Sequence, residues 1–396
     1  MKNRVALGKA LFPLMILIII GFSSCTSLRG PLTPIEIYPT IPIGSPTIQN
    51  SPIVAEISKH TITPASTPTL VPSKTPIPTT KPIQLDYFSY DFKPNEVSPV
   101  AYLDTCQYLS NRWGEDKSEP GTIVVPVMYH SVRKSGRPLL DEMQVSQEYF
   151  EYTMDYAKKM GFETITTEEL VGFLYNNDPI PTLSMILIID DRRLGVVDEH
   201  FLKYLNENDW TVTLAYITGV ATANEWREFS RLNIDHRLDL QAHGFFHNGE
   251  TYITETTALE VIEQELYGPI PIIEEQSGRK PQAFIWPGGN FTTGSIQIAR
   301  EAGYEIGFTA YSRGPLMYNW IPLGAIEAKT QDPLMVLPRF WSSTAALYLE
   351  RAYEISLKAQ EFASQNQSSE YIWYQNYCNG FPILKEFNYV GMDHDE

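Results

Sequence analysis

Short apolar segments, each followed by a stretch of helical spacing, most constrain what this chain can fold into. Thr122–Tyr129, Ser184–Ile189, Trp210–Ile217, Leu238–Ala242, Ala283–Trp286 and Ile306–Thr309 read as strands. Between them, helices are expected over Gln147–Met160, from Thr166 onward, and over Val196–Asn206, Asn224–Leu232, Thr256–Ser277 and Thr293–Ala302. Strands that are apolar throughout need cover on both faces, which implies a parallel sheet flanked by helices. Six or seven such units predict an α/β fold: a closed or nearly closed barrel of parallel strands. In that architecture, chemistry gathers where the strands end.

The strand ends carry the reactive side chains. The first strand runs into Tyr129-His130, the second into Asp190-Asp191. A later one runs into His243-Gly244-Phe245-Phe246-His247, and another into Trp286-Pro287-Gly288-Gly289. Two histidines four residues apart can put both imidazoles on one side of a turn. With a carboxylate they make a common site for a divalent ion, most often Zn²⁺. Side chains alternate along a strand, so in extended geometry only one of Asp190 and Asp191 faces such an ion. Taken singly, a His-x-x-x-His pair or an Asp-Asp pair is ordinary core, surface or turn material. Their placement in one βα frame is what points to metal-assisted hydrolysis.

Composition divides the chain before the first strand. Of its 29 prolines, 12 lie between Pro31 and Pro82, among threonines and serines. Such a stretch forms neither helix nor central strand and extends by ~3.1 Å per residue as polyproline II. Ahead of it, Lys2, Arg4 and Lys9 precede an apolar run from Leu11 to Phe22. That run is too short for a ~20-residue membrane-spanning helix and fits the apolar region of a secretory signal. It ends Phe22-Ser23-Ser24-Cys25, which resembles a bacterial lipobox. That resemblance implies a lipid on Cys25 and an exported, cell-surface chain anchored to the membrane. The expected organisation is a signal over 1–24, a tether over 25–85 and an N-terminal extension over 86–120. The barrel then takes 121–343, and a C-terminal helix and tail take 344–396. A helix is expected over Ala345–Phe362, and no function is read from the last thirty residues. Cys106 and Cys378 flank the barrel. In an oxidising compartment they are expected either as a disulfide or as two buried thiols. The formal net charge of -17 leaves no basic field for a nucleic acid, and a monomer is expected.

Beyond the site, Val127-Met-Tyr-His130, Gln147-Glu-Tyr-Phe150 and Gly161-Phe-Glu-Thr-Ile-Thr-Thr-Glu-Glu-Leu170 complete a pattern over roughly Gly121–Ser343. That pattern resembles the polysaccharide deacetylases, the NodB-like carbohydrate esterases of family four. With the acid histidine first in the chain, it is similar to the circularly permuted exopolysaccharide deacetylases. The resemblance implies an α/β fold, a distorted barrel of about seven parallel strands, and removal of acetyl groups from N-acetylated polysaccharide with a divalent metal, usually zinc. It assigns Asp190 as general base, Asp191, His243 and His247 as metal ligands, and His130 as general acid. Gly288 becomes the oxyanion N–H donor and Met128 a lining of the acetyl-methyl pocket. Trp286 and Trp341 are candidates for stacking on sugar rings, with core packing as the alternative. Arg339 occupies a position often basic in the family, with a surface ion pair as its alternative.

Three departures stand out. Arg192 replaces the usual glycine after the Asp-Asp pair, Gly244 replaces a usual Ser or Thr, and the arginine that often orients the base is absent near Phe284–Trp286. Arg192 is read either as folding back onto Asp190 in that arginine's place or as a solvent-facing charge. Two competing readings are a glycan-binding lipoprotein on a catalytically decayed barrel, and a glycosidase using Asp190 with a second carboxylate.

Overall fold

Seven short strands form the frame of the barrel: β1 (Ile123–Tyr129), β2 (Leu183–Asp190), β3 (Val212–Tyr216), β4 (Leu238–Ala242), β5 (Ala283–Ile285), β6 (Ile306–Phe308) and β7 (Phe340–Trp341). The protein is seen here as a computed structural model that describes residues 97–247 and 252–379. The expected signal segment, Cys25 and the expected tether lie outside the described residues. The six strands β1 to β6 pair in the order β6-β5-β4-β3-β2-β1, parallel throughout. β1 is buried at every position, and β2 from its second residue onward. That burial is why both read as unbroken apolar runs.

The sheet curls until its two edges nearly meet. β7 pairs parallel to the free edge of β1, with Phe340 opposite Val127 and Trp341 opposite Met128. Just before β7, Leu337 bridges to Phe308 of β6. Its N–H donates to the Gly307 carbonyl at 2.7 Å, and its own carbonyl accepts from Thr309 N–H at 2.9 Å. The segment from Leu337 to Trp341 thus spans the gap between β6 and β1. The approach is close: a Cβ on Gly307 would lie 2.3 Å from the Met335 carbonyl oxygen, so only glycine fits there.

The helices begin and end where local chemistry dictates. Ser146 caps Gln147–Met160, which stops at Gly161 in the left-handed region. Thr166 with Glu169, and Thr222 with Glu225, form capping boxes. Two expectations need correction. The stretch expected as one helix over Thr256–Ser277 is two, Leu259–Tyr267 and Pro269–Ser277, because Pro269 has no N–H to continue the ladder. The C-terminal helix does not end near Phe362 but runs over Ala345–Tyr377. Its far half packs on something the barrel pattern does not reveal, the short helix Thr105–Arg112.

That contact is fastened in two ways. Cys106 and Cys378 form a disulfide with Cα atoms 5.4 Å apart across 272 positions of sequence. Beside it, Arg112 Nε pairs with Glu370 at 3.0 Å, both side chains buried. Nearby, Ser98–Val100 adds an antiparallel pairing to Ile321–Leu323. Closing so long a loop restricts the unfolded chain. Cys378→Ser is therefore expected to lower unfolding free energy by about 2–5 kcal/mol, read from denaturant unfolding with and without reductant. Reductant should leave the variant unchanged.

Candidate metal and active site

Asp190 is the last residue of β2 and is 2% exposed. Burial alone pushes its pKa up. Arg339, His243 and His130 around it outweigh that and hold it at about 2, so it is a carboxylate at neutral pH. Arg339 is the dominant favourable partner. Its Nη1 donates to Asp190 Oδ1 at 2.6 Å, and its Nε donates to the Thr309 carbonyl at 2.7 Å. The other carboxylate oxygen faces His130 Nε2 at 3.6 Å and His243 Nε2 at 4.0 Å.

Asp191 leaves the strand with φ at +68°, in the left-handed region that Asp tolerates better than most residues. This turn lets both carboxylates face one site, which an extended strand would forbid. Asp191 joins His243 and His247 in a three-residue group whose potential ligand atoms all lie within 4.8 Å of one another. His243 is fixed by its other nitrogen, Nδ1, which meets the Ile285 carbonyl at 2.7 Å. A proton on Nδ1 leaves the Nε2 lone pair for a cation. The His247 ring stands across that of His243, with centroids 4.5 Å apart at 82°. Its Nδ1 is buried without a hydrogen-bond partner among the described residues. Burial pushes His243 down to about 4 and lowers His247 as well, so both imidazoles are neutral at pH 7. Two neutral imidazoles and one carboxylate suit a single divalent ion, and Zn²⁺ accepts such a set at ~2.0–2.2 Å. The residues present therefore fit the metal that the sequence led us to expect.

The remaining candidates line the mouth or the wall. His130 stacks on Trp341, with centroids 6.0 Å apart and rings inclined by 17°. Met128 is buried in register with Trp341. Gly288, exposed and at φ +62°, sits in the turn that follows β5, with the Tyr252 ring 3.1 Å from where a Cβ would be.

Two expectations are overturned. Arg192 does not reach Asp190. It pairs with Glu225 at 2.5 Å, and Glu225 is held there because its other oxygen accepts from the N–H and hydroxyl of Thr222 in the capping box. The cation on Asp190 is Arg339, which is a buried partner and not a surface ion pair. Trp286 is no sugar platform: it is fully buried, its indole N–H donates to the Met335 carbonyl at 2.7 Å, and its ring packs on Phe284. Sequence reasoning also missed Arg193, whose guanidinium grips Asp191 Oδ2 at 2.9 Å and the Ser131 hydroxyl at 2.7 Å. Glu265 was missed too. Its one sequence signal was a carboxylate at helical spacing from Ile262 on an otherwise apolar stripe.

A family model described as polysaccharide deacetylase matches residues 179–307. The matched region holds Asp190, Asp191, His243, His247 and Gly288, while His130 and Arg339 lie outside it. Among solved structures, the chain is similar to Streptococcus pyogenes deacetylase PplD in complex with acetate. That likeness is 18% identical over 59% of this chain and 99% of that one, with a TM-score of 0.48. IcaB from Ammonifex degensii is 17% identical over 61% of this chain and 98% of that one, with a TM-score of 0.45. A de-N-acetylase from Aggregatibacter actinomycetemcomitans is 14% identical over 55% of this chain and 94% of that one, with a TM-score of 0.44. No curated protein matches the chain.

The two arginines separate by environment. Arg339→Ala would strand a buried carboxylate and is expected to cost about 3–5 kcal/mol of unfolding free energy. Arg192→Ala breaks a pair at the rim and should cost under about 1 kcal/mol. Urea unfolding of the two variants checks both values, and equal costs would contradict this assignment.

Proposed function

We propose that the protein is a metal-dependent hydrolase that removes acetyl groups from N-acetylated polysaccharide at the cell envelope. The observation that carries this reading is the convergence of Asp191, His243 and His247 beside a separate, charged Asp190. The family match over residues 179–307 supports it. The lipobox-like Cys25 and the Pro-rich segment behind it support a chain held to the membrane by lipid, with the domain spaced away from it.

A divalent ion held by Asp191, His243 and His247, with zinc the best fit to that donor set, would polarise the acetyl carbonyl and make water easier to deprotonate. The chain's own side chains do the rest. Asp190 Oδ2 takes a proton from the attacking water, with Oδ1 occupied by Arg339, so the base presents one defined oxygen. Arg193 holds the second oxygen of its neighbour Asp191, which fixes that ligand's rotamer. The Gly288 N–H donates to the oxygen that gains charge as the carbonyl becomes tetrahedral. His130 Nε2 gives a proton to the amine as the C–N bond breaks, because an unprotonated amine leaves poorly. Trp341 supports the His130 ring in its place.

Acetate release from N-acetylated oligosaccharides tests the reading. Activity is expected in the untreated protein, loss is expected on chelation, and added Zn²⁺ should restore it. Asp190→Asn and His130→Ala should each lower turnover by about 10²–10⁴-fold while metal content persists. Tight sugar binding with neither acetate release nor metal would instead favour a glycan-binding barrel. Reducing-end release insensitive to chelator would favour a glycosidase.

A further inference from the structure

The helix Leu259–Tyr267 turns a carboxylate into the protein interior. Glu265 lies on the same buried stripe as Ile262 and Leu266 and is 1% exposed. A carboxylate removed from water needs strong donors. It finds them in three consecutive backbone N–H groups: Phe245 to Oε2 at 2.8 Å, Phe246 to Oε1 at 3.0 Å and His247 to Oε2 at 3.4 Å. Those three residues form the loop that leads from the first metal histidine to the second.

The two histidines are held by different means. The His243 ring is anchored by its own Nδ1 on the Ile285 carbonyl. Among the described residues the His247 ring has no equivalent bond, and its Nδ1 is buried without a partner. Its φ is +35°, a conformation that a loop adopts only when surrounding contacts enforce it. The position of that ring therefore depends on its backbone, and the backbone is held by Glu265. Gly244 completes the device. Its φ is +81°, and a Cβ there would lie 2.4 Å from Glu265 Oε2. Any larger residue would push the carboxylate off the N–H groups. The close approach and the positive φ together account for glycine at this position.

We propose that Glu265 is the positioning residue of the metal site: through the N–H groups of Phe245, Phe246 and His247 it sets where the His247 imidazole stands, and Gly244 gives it room to do so. The proposal rests on the metal-site reading above. Outer partners that orient ligands are typically worth about 10–100-fold in metal affinity.

Zinc affinity, measured by competition with a chromophoric chelator, tests it in the wild type, Glu265→Gln, Glu265→Ala, Gly244→Ala and the double variant Gly244→Ala/Glu265→Ala. Glu265→Gln is close to the native shape but offers only one acceptor oxygen. It is expected to lose about 10–100-fold in zinc affinity with unchanged far-UV circular dichroism, and to alter the visible spectrum of the Co²⁺ form. Gly244→Ala should lose affinity on its own and lose less in the Glu265→Ala background, where the clash with Oε2 is gone and only the strain of alanine at φ +81° remains. A wild type that binds no zinc would sink the metal-site reading itself. A wild type that binds zinc, with Glu265→Gln folded and within twofold of it, would overturn this proposal alone. Should the variants fail to fold, amide exchange in the wild type decides: the three N–H groups of Phe245 to His247 are expected to be protected, and rapid exchange at all three would overturn the clamp.

Discussion

A carboxylate at the end of β2 stays charged inside the protein because one guanidinium reaches it from the segment that bridges the two edges of the sheet. Asp190 and Arg339 are 149 positions apart in sequence, and their side chains are 3% and 1% exposed. Removing either charge from water is expensive, and the attraction between them repays that only at short range with the remaining donors satisfied. The pair meets at 2.6 Å, and Nε of the same guanidinium donates to the Thr309 carbonyl. The pair exists only when Leu337–Trp341 has bridged β6 to β1. Barrel closure and preparation of the candidate base are therefore one event, and the same strand brings Trp341 against His130.

Charge around the site is distributed one cation to one anion. Arg339 meets Asp190, Arg193 meets Asp191, and Arg192 meets Glu225 at the rim. The run Asp190-Asp191-Arg192-Arg193 is thus no disruption of the strand end. The left-handed turn at Asp191 sends the two carboxylates to one side, and each following arginine finds its own partner. The histidines follow a similar division, one fixed by its ring and the other by its loop. Burial keeps both uncharged, so neither repels a cation.

Much of this was legible in the chain. The buried strands declared themselves as apolar runs, and the helices between them as stretches of helical spacing. Asp191, His243 and His247 could be singled out because strand ends in such a frame are where reactive side chains collect. Arg192 was weighed as a substitute for the missing base-orienting arginine, yet the capping box at Thr222 holds Glu225 where it receives Arg192. Trp286 was weighed both as a sugar platform and as core, and its indole N–H, with a backbone acceptor inside the core, decides for the second. The helix Ala345–Tyr377 outran its expected end because its far half packs on Thr105–Arg112, a contact with no periodic signal of its own.

What the sequence determined by itself is therefore local and repetitive: the alternation of strand and helix, the caps, and which reactive residue types stand at strand ends. Those follow from side-chain burial and backbone propensity over a few residues. Only the tertiary structure decided which charge serves which. Arg339 over Arg192, Glu265 beneath the histidine loop, and the bond between Cys106 and Cys378 all depend on distances across the barrel. Electrostatic and hydrogen-bond energies fall away within a few ångströms, and spacing along the chain carries no measure of that separation.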